Sequence, residues 1–154
     1  MPHAARLLLV ALLLVGGACE RRDGLPAGTE IRLHSERGST VVDAGAARTA
    51  ALLTETRALL AEARPSSGAL DRRAVGLALA RGALEFRFPA PQRFATADGD
   101  SLSAWRLLLV LGMEPLPPSG EAGLLLLAGN PDYEPRPFVS ARPRERLLRI
   151  LEGN

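Results

Sequence analysis

Between Thr29 and Ser35 the chain alternates, with Ile31 and Leu33 on one side and Glu30, Arg32 and His34 on the other. A two-residue period is that of a half-buried strand. Glu36, Arg37 and Gly38 form a turn, and Ser39 to Val42 returns as a short second strand. The period then lengthens. From Ala44 to Ala63, Leu52, Leu53, Leu59, Leu60 and Ala63 recur at helical spacing, with Arg48, Glu55, Arg57 and Glu62 elsewhere, and Asp43 stands where an N-cap would accept from the first free amides. Pro65, Ser66, Ser67 and Gly68 end this helix.

Asp71 to Arg81 carries both signals. Val75, Leu77 and Leu79 alternate, but the Ala and Arg content, Asp71 as N-cap and Gly82 past the end favour a helix. Ala83 to Phe88 reads as a strand with Leu84, Phe86 and Phe88 facing one way and Glu85 and Arg87 the other, stopped by Pro89 and Pro91. Arg93 to Ala97 and Ser103 to Leu111 read as a hairpin turning at Asp98, Gly99 and Asp100. In the second of these strands Trp105, Leu107, Leu109 and Leu111 share a face, while Leu108 and Val110 make the other face apolar too, as in a central strand. Met113 to Gly120 is a Pro-rich loop, Gly123 to Ala128 a further apolar strand, Gly129 to Asp132 a turn, and Tyr133 to Ser140 an extended segment whose prolines suit an edge or a loop. A final helix runs from Pro143 to Glu152, burying Leu147, Leu148, Ile150 and Leu151. The expected fold is α+β: a single domain, mainly an antiparallel sheet of about four to six strands with two or three helices packed on it.

The first nineteen residues follow another pattern. Arg6 precedes nine apolar residues, Leu7 to Val15, and the small residues Gly16, Gly17 and Ala18 lead to Cys19. That is the order of an export signal, and the run is far short of the roughly 20 residues a membrane-spanning helix needs. With Gly17, Ala18 and Cys19 the segment resembles a bacterial lipoprotein signal, in which an invariant cysteine is acylated and becomes the mature N-terminus. It departs from that pattern at Gly16, where the family usually has Leu. Gly16 and Ala18 also satisfy the small-x-small rule of ordinary signal peptidase, which leaves a soluble periplasmic or secreted chain as the alternative. The lipoprotein resemblance covers these nineteen residues and implies residues 1–18 as signal peptide, with diacylglycerol and an acyl chain on Cys19; behind it the polar composition marks residues 19–28 as a tether reaching about 17 Å and residues 29–154 as the domain. The resemblance further implies a cell-envelope location, lipid-anchored on the periplasmic side of the inner or outer membrane.

Composition removes several function classes. All 19 basic residues are arginine, and once Arg6 leaves with the signal 18 arginines face 17 acidic residues, interspersed and without a basic stripe. No nucleic-acid partner is therefore expected despite the sequence pI near 9.4. Cys19 is the only cysteine, so no intrachain disulfide can form, and His34 is the only histidine of the mature chain. Neither a His/Cys zinc site nor a cofactor is expected. No G-x-S-x-G, Walker loop, H-E-x-x-H or C-x-x-C occurs.

The remaining candidates are few. Asp98, Gly99 and Asp100 could face Ca²⁺ but lack the further oxygen ligands of a binding loop, so a plain turn is the better reading. Asn130, Asp132, Tyr133 and Arg136 collect functional groups in one loop and form the candidate recognition surface, although Asn-Pro-Asp before Pro-rich sequence also suits a guarded sheet edge. Trp105 is expected in the core. His34 and Ser35 are neighbours on a strand and point to opposite faces, which discounts them as base and nucleophile. Acid pairs such as Glu114 with Glu121, or Asp98 with Asp100, are the only hydrolase candidates. No catalytic residue is assigned. The expectation is a non-enzymatic envelope lipoprotein that binds or scaffolds a protein partner; the alternative is a soluble small-ligand-binding module using a cleft between the Pro-rich loop and Tyr133.

Overall fold

The computed structural model describes residues 26–112 and 123–153. The signal segment, Cys19, the Pro-rich loop, Glu114 and Glu121 lie outside the described residues. The elements are β1 (Glu30–Ser35), β2 (Gly38–Val41), α1 (Gly45–Ala61), β3 (Ala63–Pro65), α2 (Arg72–Arg81), β4 (Ala83–Ala95), β5 (Ser101–Val110), β6 (Leu124–Gly129), β7 (Phe138–Ser140) and α3 (Glu145–Glu152). The strands form one sheet of order β2-β1-β4-β5-β6-β7-β3 with every neighbouring pair antiparallel. This is the α+β fold expected, with seven strands rather than six at most.

Helices cover both faces. Ile31, Leu84, Phe86, Phe88, Leu107, Leu109, Leu124 and Leu126 pack against Leu52, Leu53, Leu59 and Leu60 of α1 and Leu147 of α3. Ala83, Leu108, Val110, Leu125 and Leu127 turn to the opposite face, under Ala78 of α2. Because β5 and β6 are buried on both sides, their Leu-rich runs are continuous rather than alternating.

Local chemistry explains where the elements differ from expectation. Asp43 does not cap α1: Val42 N–H still bonds to Ile31 O in the sheet, and the N-cap is Ala44, with no side-chain cap bond. Asp71 does cap α2, its Oδ1 accepting from Ala74 N at 2.7 Å. Helix α1 stops at Ala61, short of Arg64, which Pro65 excludes from helical conformation, and Ala63 to Pro65 pair with β7. That pairing makes Phe138–Ser140 an internal strand, not an edge. Glu55 lies on the buried stripe of α1, 2% exposed, where Arg142 Nε (2.9 Å) and Arg146 Nε (3.1 Å) neutralise it and tie α1 to the α3 end of the chain.

Pro89 and Pro91 do not end β4. The register passes from Arg87 opposite Arg106 to Gln92 opposite Ala104, so Phe88, Pro89, Ala90 and Pro91 face the single residue Trp105. An irregularity of this kind accommodates residues that cannot donate to the ladder. It also resets β5: Ala104 and Leu107, an odd number of residues apart, both belong to the α1-side core. Trp105 is thereby expelled from the core where the alternation had placed it, and is 43% exposed.

Candidate functional site

The β1–β4–β5 register determines what gathers on the α2 side of the sheet. Glu85 stands opposite Arg32 of β1 and Leu108 of β5, Arg87 opposite Glu30 and Arg106, and His34 opposite Ala83. Two arginines in direct register repel each other unless an anion lies between them. Glu85, one diagonal step from Arg106, is that anion.

Glu85 is fully buried. Its Oε1 accepts from Tyr133 Oη at 2.6 Å, Arg106 Nε at 2.8 Å and Arg106 Nη2 at 2.5 Å, and its Oε2 from Arg87 Nε at 3.0 Å and His34 Nε2 at 2.9 Å. An ionised carboxylate only accepts, which identifies Nε2 as the protonated nitrogen of His34. Burial alone would raise the Glu85 pKa; the hydrogen bonds from Tyr133, Arg106 and His34 outweigh it and bring the value from 4.5 down to about 2. Burial, and then the bond to this anion, push the Tyr133 phenol upward. Burial pulls the Arg106 guanidinium down, but its bonds to Glu85 more than restore it. The Arg106 guanidinium carbon also lies 4.7 Å from the Tyr133 ring centroid, in cation–π contact.

Beside this network is an open pocket of about 580 Å³ lined by Arg87, Phe88, Trp105, Arg106 and Pro131. Phe88 is held from behind: its ring stacks on Phe86 (centroids 6.1 Å, planes 12° apart) and tilts against Phe94 (5.8 Å). A second cavity of about 680 Å³ lies between the start of α2 and the β6–β7 loop, lined by Leu70, Asp71, Arg72, Val75, Asp132, Tyr133 and Pro135.

Of the four loop residues singled out in the sequence, Asp132 and Tyr133 line the second cavity together, and Asn130 and Arg136 are not part of that lining. Asn130 is a peg for β5, its Oδ1 accepting from Trp105 N at 3.3 Å and its Nδ2 donating to Ser103 O at 3.0 Å, so that it substitutes for the next strand. Its bond to Pro131 is cis. Tyr133 turns inward to Glu85, Asp132 lines the second cavity, and Arg136 is exposed. The turn at Asp98 is closed by Thr96 Oγ1, which donates to Asp98 Oδ1 at 2.5 Å and, by that bond first, lowers the pKa of Asp98. Among the described residues no group of His, Cys, Asp and Glu is placed to hold a metal ion.

Sequence reasoning missed Glu85, Arg87, Arg106 and the exposure of Trp105. A signal for Glu85 was present: Leu108 and Val110 make the α2 face of the adjacent strand apolar, and an acid on that same face must be covered and paired. Comparisons with known protein families, with curated proteins and with solved structures return no match for this chain.

Proposed function

We propose that this chain is a non-enzymatic recognition module tethered to a bacterial membrane through a lipid on Cys19, with the Trp105 pocket as its binding site. The tether rests on the resemblance of residues 1–19 to a lipoprotein signal. The observation that carries the recognition reading is the Glu85 network. Five donor bonds saturate this carboxylate, and with a pKa of about 2 it neither gives nor takes a proton near neutrality. Such a group serves as a fixed anion that orients Arg87 and Arg106 beside an exposed indole, an arrangement suited to holding a ligand rather than to general acid–base chemistry.

The alternative is a soluble periplasmic or secreted module using the same pocket, favoured by Gly16 and Ala18 before the cysteine. The intact mass of the mature protein from membrane and soluble fractions, beside a Cys19→Ser variant, separates the two. A wild-type mass raised by acyl chains, found in membranes and lost in the variant, supports the tether. An unmodified soluble chain beginning at Cys19 refutes it.

A further inference from the structure

We infer that the Trp105 pocket takes a small aromatic molecule bearing one oxyanion, a carboxylate or a phosphate. The inference rests on the reading of this pocket as the recognition site, and adds what it recognises.

Charge is the first observation. In the cluster Glu85 is ion-paired with Arg87 and Arg106, and Glu30 with Arg32 and, more distantly, Arg87, so three guanidinium groups face two carboxylates and one positive charge is in excess. The two arginines differ in what they have left to give. Arg106 uses Nε and Nη2 on Glu85 and Nη1 on the carbonyl of Pro131, at 3.3 Å. Arg87 spends only Nε on Glu85; its Nη1 is 3.9 Å from Glu30 Oε1, beyond hydrogen-bond reach. Glu30 is itself hydrogen-bonded to Arg32, and that bond is the first cause of its lowered pKa. Arg87 therefore lines the pocket with its terminal amino groups free of a hydrogen-bonded acceptor among the described residues, and a guanidinium fixed at Nε presents them in the paired geometry that a carboxylate or phosphate accepts.

The apolar half of the site is the second observation. Trp105 is held at its backbone by Asn130, and its ring is the most exposed aromatic surface of the described residues. Pro131 and the buried Phe88 complete the lining. A flat ring entering here stacks on indole and covers apolar area, while its anionic group reaches Arg87. A volume of about 580 Å³ is within the range for such small molecules.

Trp105 is the only tryptophan in the chain, so its fluorescence reports this pocket alone. The mature chain is titrated with N-acetyl-phenylalanine, with phenyl phosphate, with uncharged N-acetyl-phenylalaninamide and with acetate. The expected result is a saturable change with one or both aromatic anions, about tenfold or more tighter than the amide, weakened by salt, and none with acetate. Whichever anion binds more tightly identifies the oxyanion. Arg87→Gln is expected to bring the anion down to the amide's affinity, Arg87→Lys to retain part of the preference, and Arg37→Gln, in the exposed β1–β2 turn, to change nothing. Equal binding of acid and amide, or an unchanged preference in Arg87→Gln, overturns the oxyanion while leaving Trp105 as a recognition site. No saturable response to any ring compound overturns the ligand class; the membrane tether stands or falls separately on the intact mass.

Discussion

Replacing Glu85 by Gln tests whether the buried carboxylate organises this end of the sheet. Gln preserves shape and one acceptor oxygen but removes the charge that Arg106, Arg87, His34 and Tyr133 converge on. The depression of the Glu85 pKa from 4.5 to about 2 is worth, at most, about 3 to 4 kcal/mol at about 1.4 kcal/mol per pH unit. Arg87 and Arg106 are partly exposed, so water screens some of this and about 2 kcal/mol remains. Because the folded pKa lies below the unfolded one, this stability is present above about pH 5. It drains as pH falls through 4.5 toward 2, with more than half gone by pH 3. At neutral pH the variant should lose about 3 kcal/mol, since the arginines are left facing an uncharged partner. That is within the stability of an ordinary domain, so it should still fold. Urea unfolding of wild type and Glu85→Gln at a series of pH values from 7 to 2.5 gives the difference between the two curves, from which the other carboxylates cancel. The difference should narrow steadily below pH 5. A constant difference across that range would show that Glu85 is not held ionised by its partners, and would refute the reasoning.

Two further outcomes follow from the helices. Asp71→Ala should cost about 1 kcal/mol in urea unfolding by releasing Ala74 N–H, whereas Asp43→Ala should fall within about 0.5 kcal/mol of wild type, because Asp43 is exposed and caps nothing. Thr56 of α1 has a fully buried hydroxyl without a hydrogen-bond partner among the described residues. Thr56→Val, of the same shape, should therefore raise stability by about 1 kcal/mol, measured as a higher melting temperature, and a loss would mean the hydroxyl is satisfied in solution.

Local pattern was sufficient for much of this molecule. The period-two run of β1, the central character of β5, the cap and C-terminal glycine of α2 and the turn at Asp98–Asp100 follow from side-chain volumes, backbone preferences and the next few residues, which the sequence contains. The candidate recognition loop was legible as a place where functional groups collect, but not the hydrogen bonds by which Asn130 holds β5 and Tyr133 reaches Glu85, because those partners are distant in the chain.

Tertiary structure decided the rest wherever an outcome depended on a distant partner. Glu85 and Glu55 both looked like outward polar positions; which strand lies beside β4 and which arginines reach α1 settled that both are buried and paired. Ala63 to Pro65 became a strand only because β7 offered an edge. Trp105 alternates correctly with Leu107 in the sequence, but the four residues of β4 that face it shift the register by three, and only the paired strands can show which side the indole then takes. Alternation belongs to one strand, whereas register belongs to two, and the pocket between Trp105 and Arg87 exists because of register.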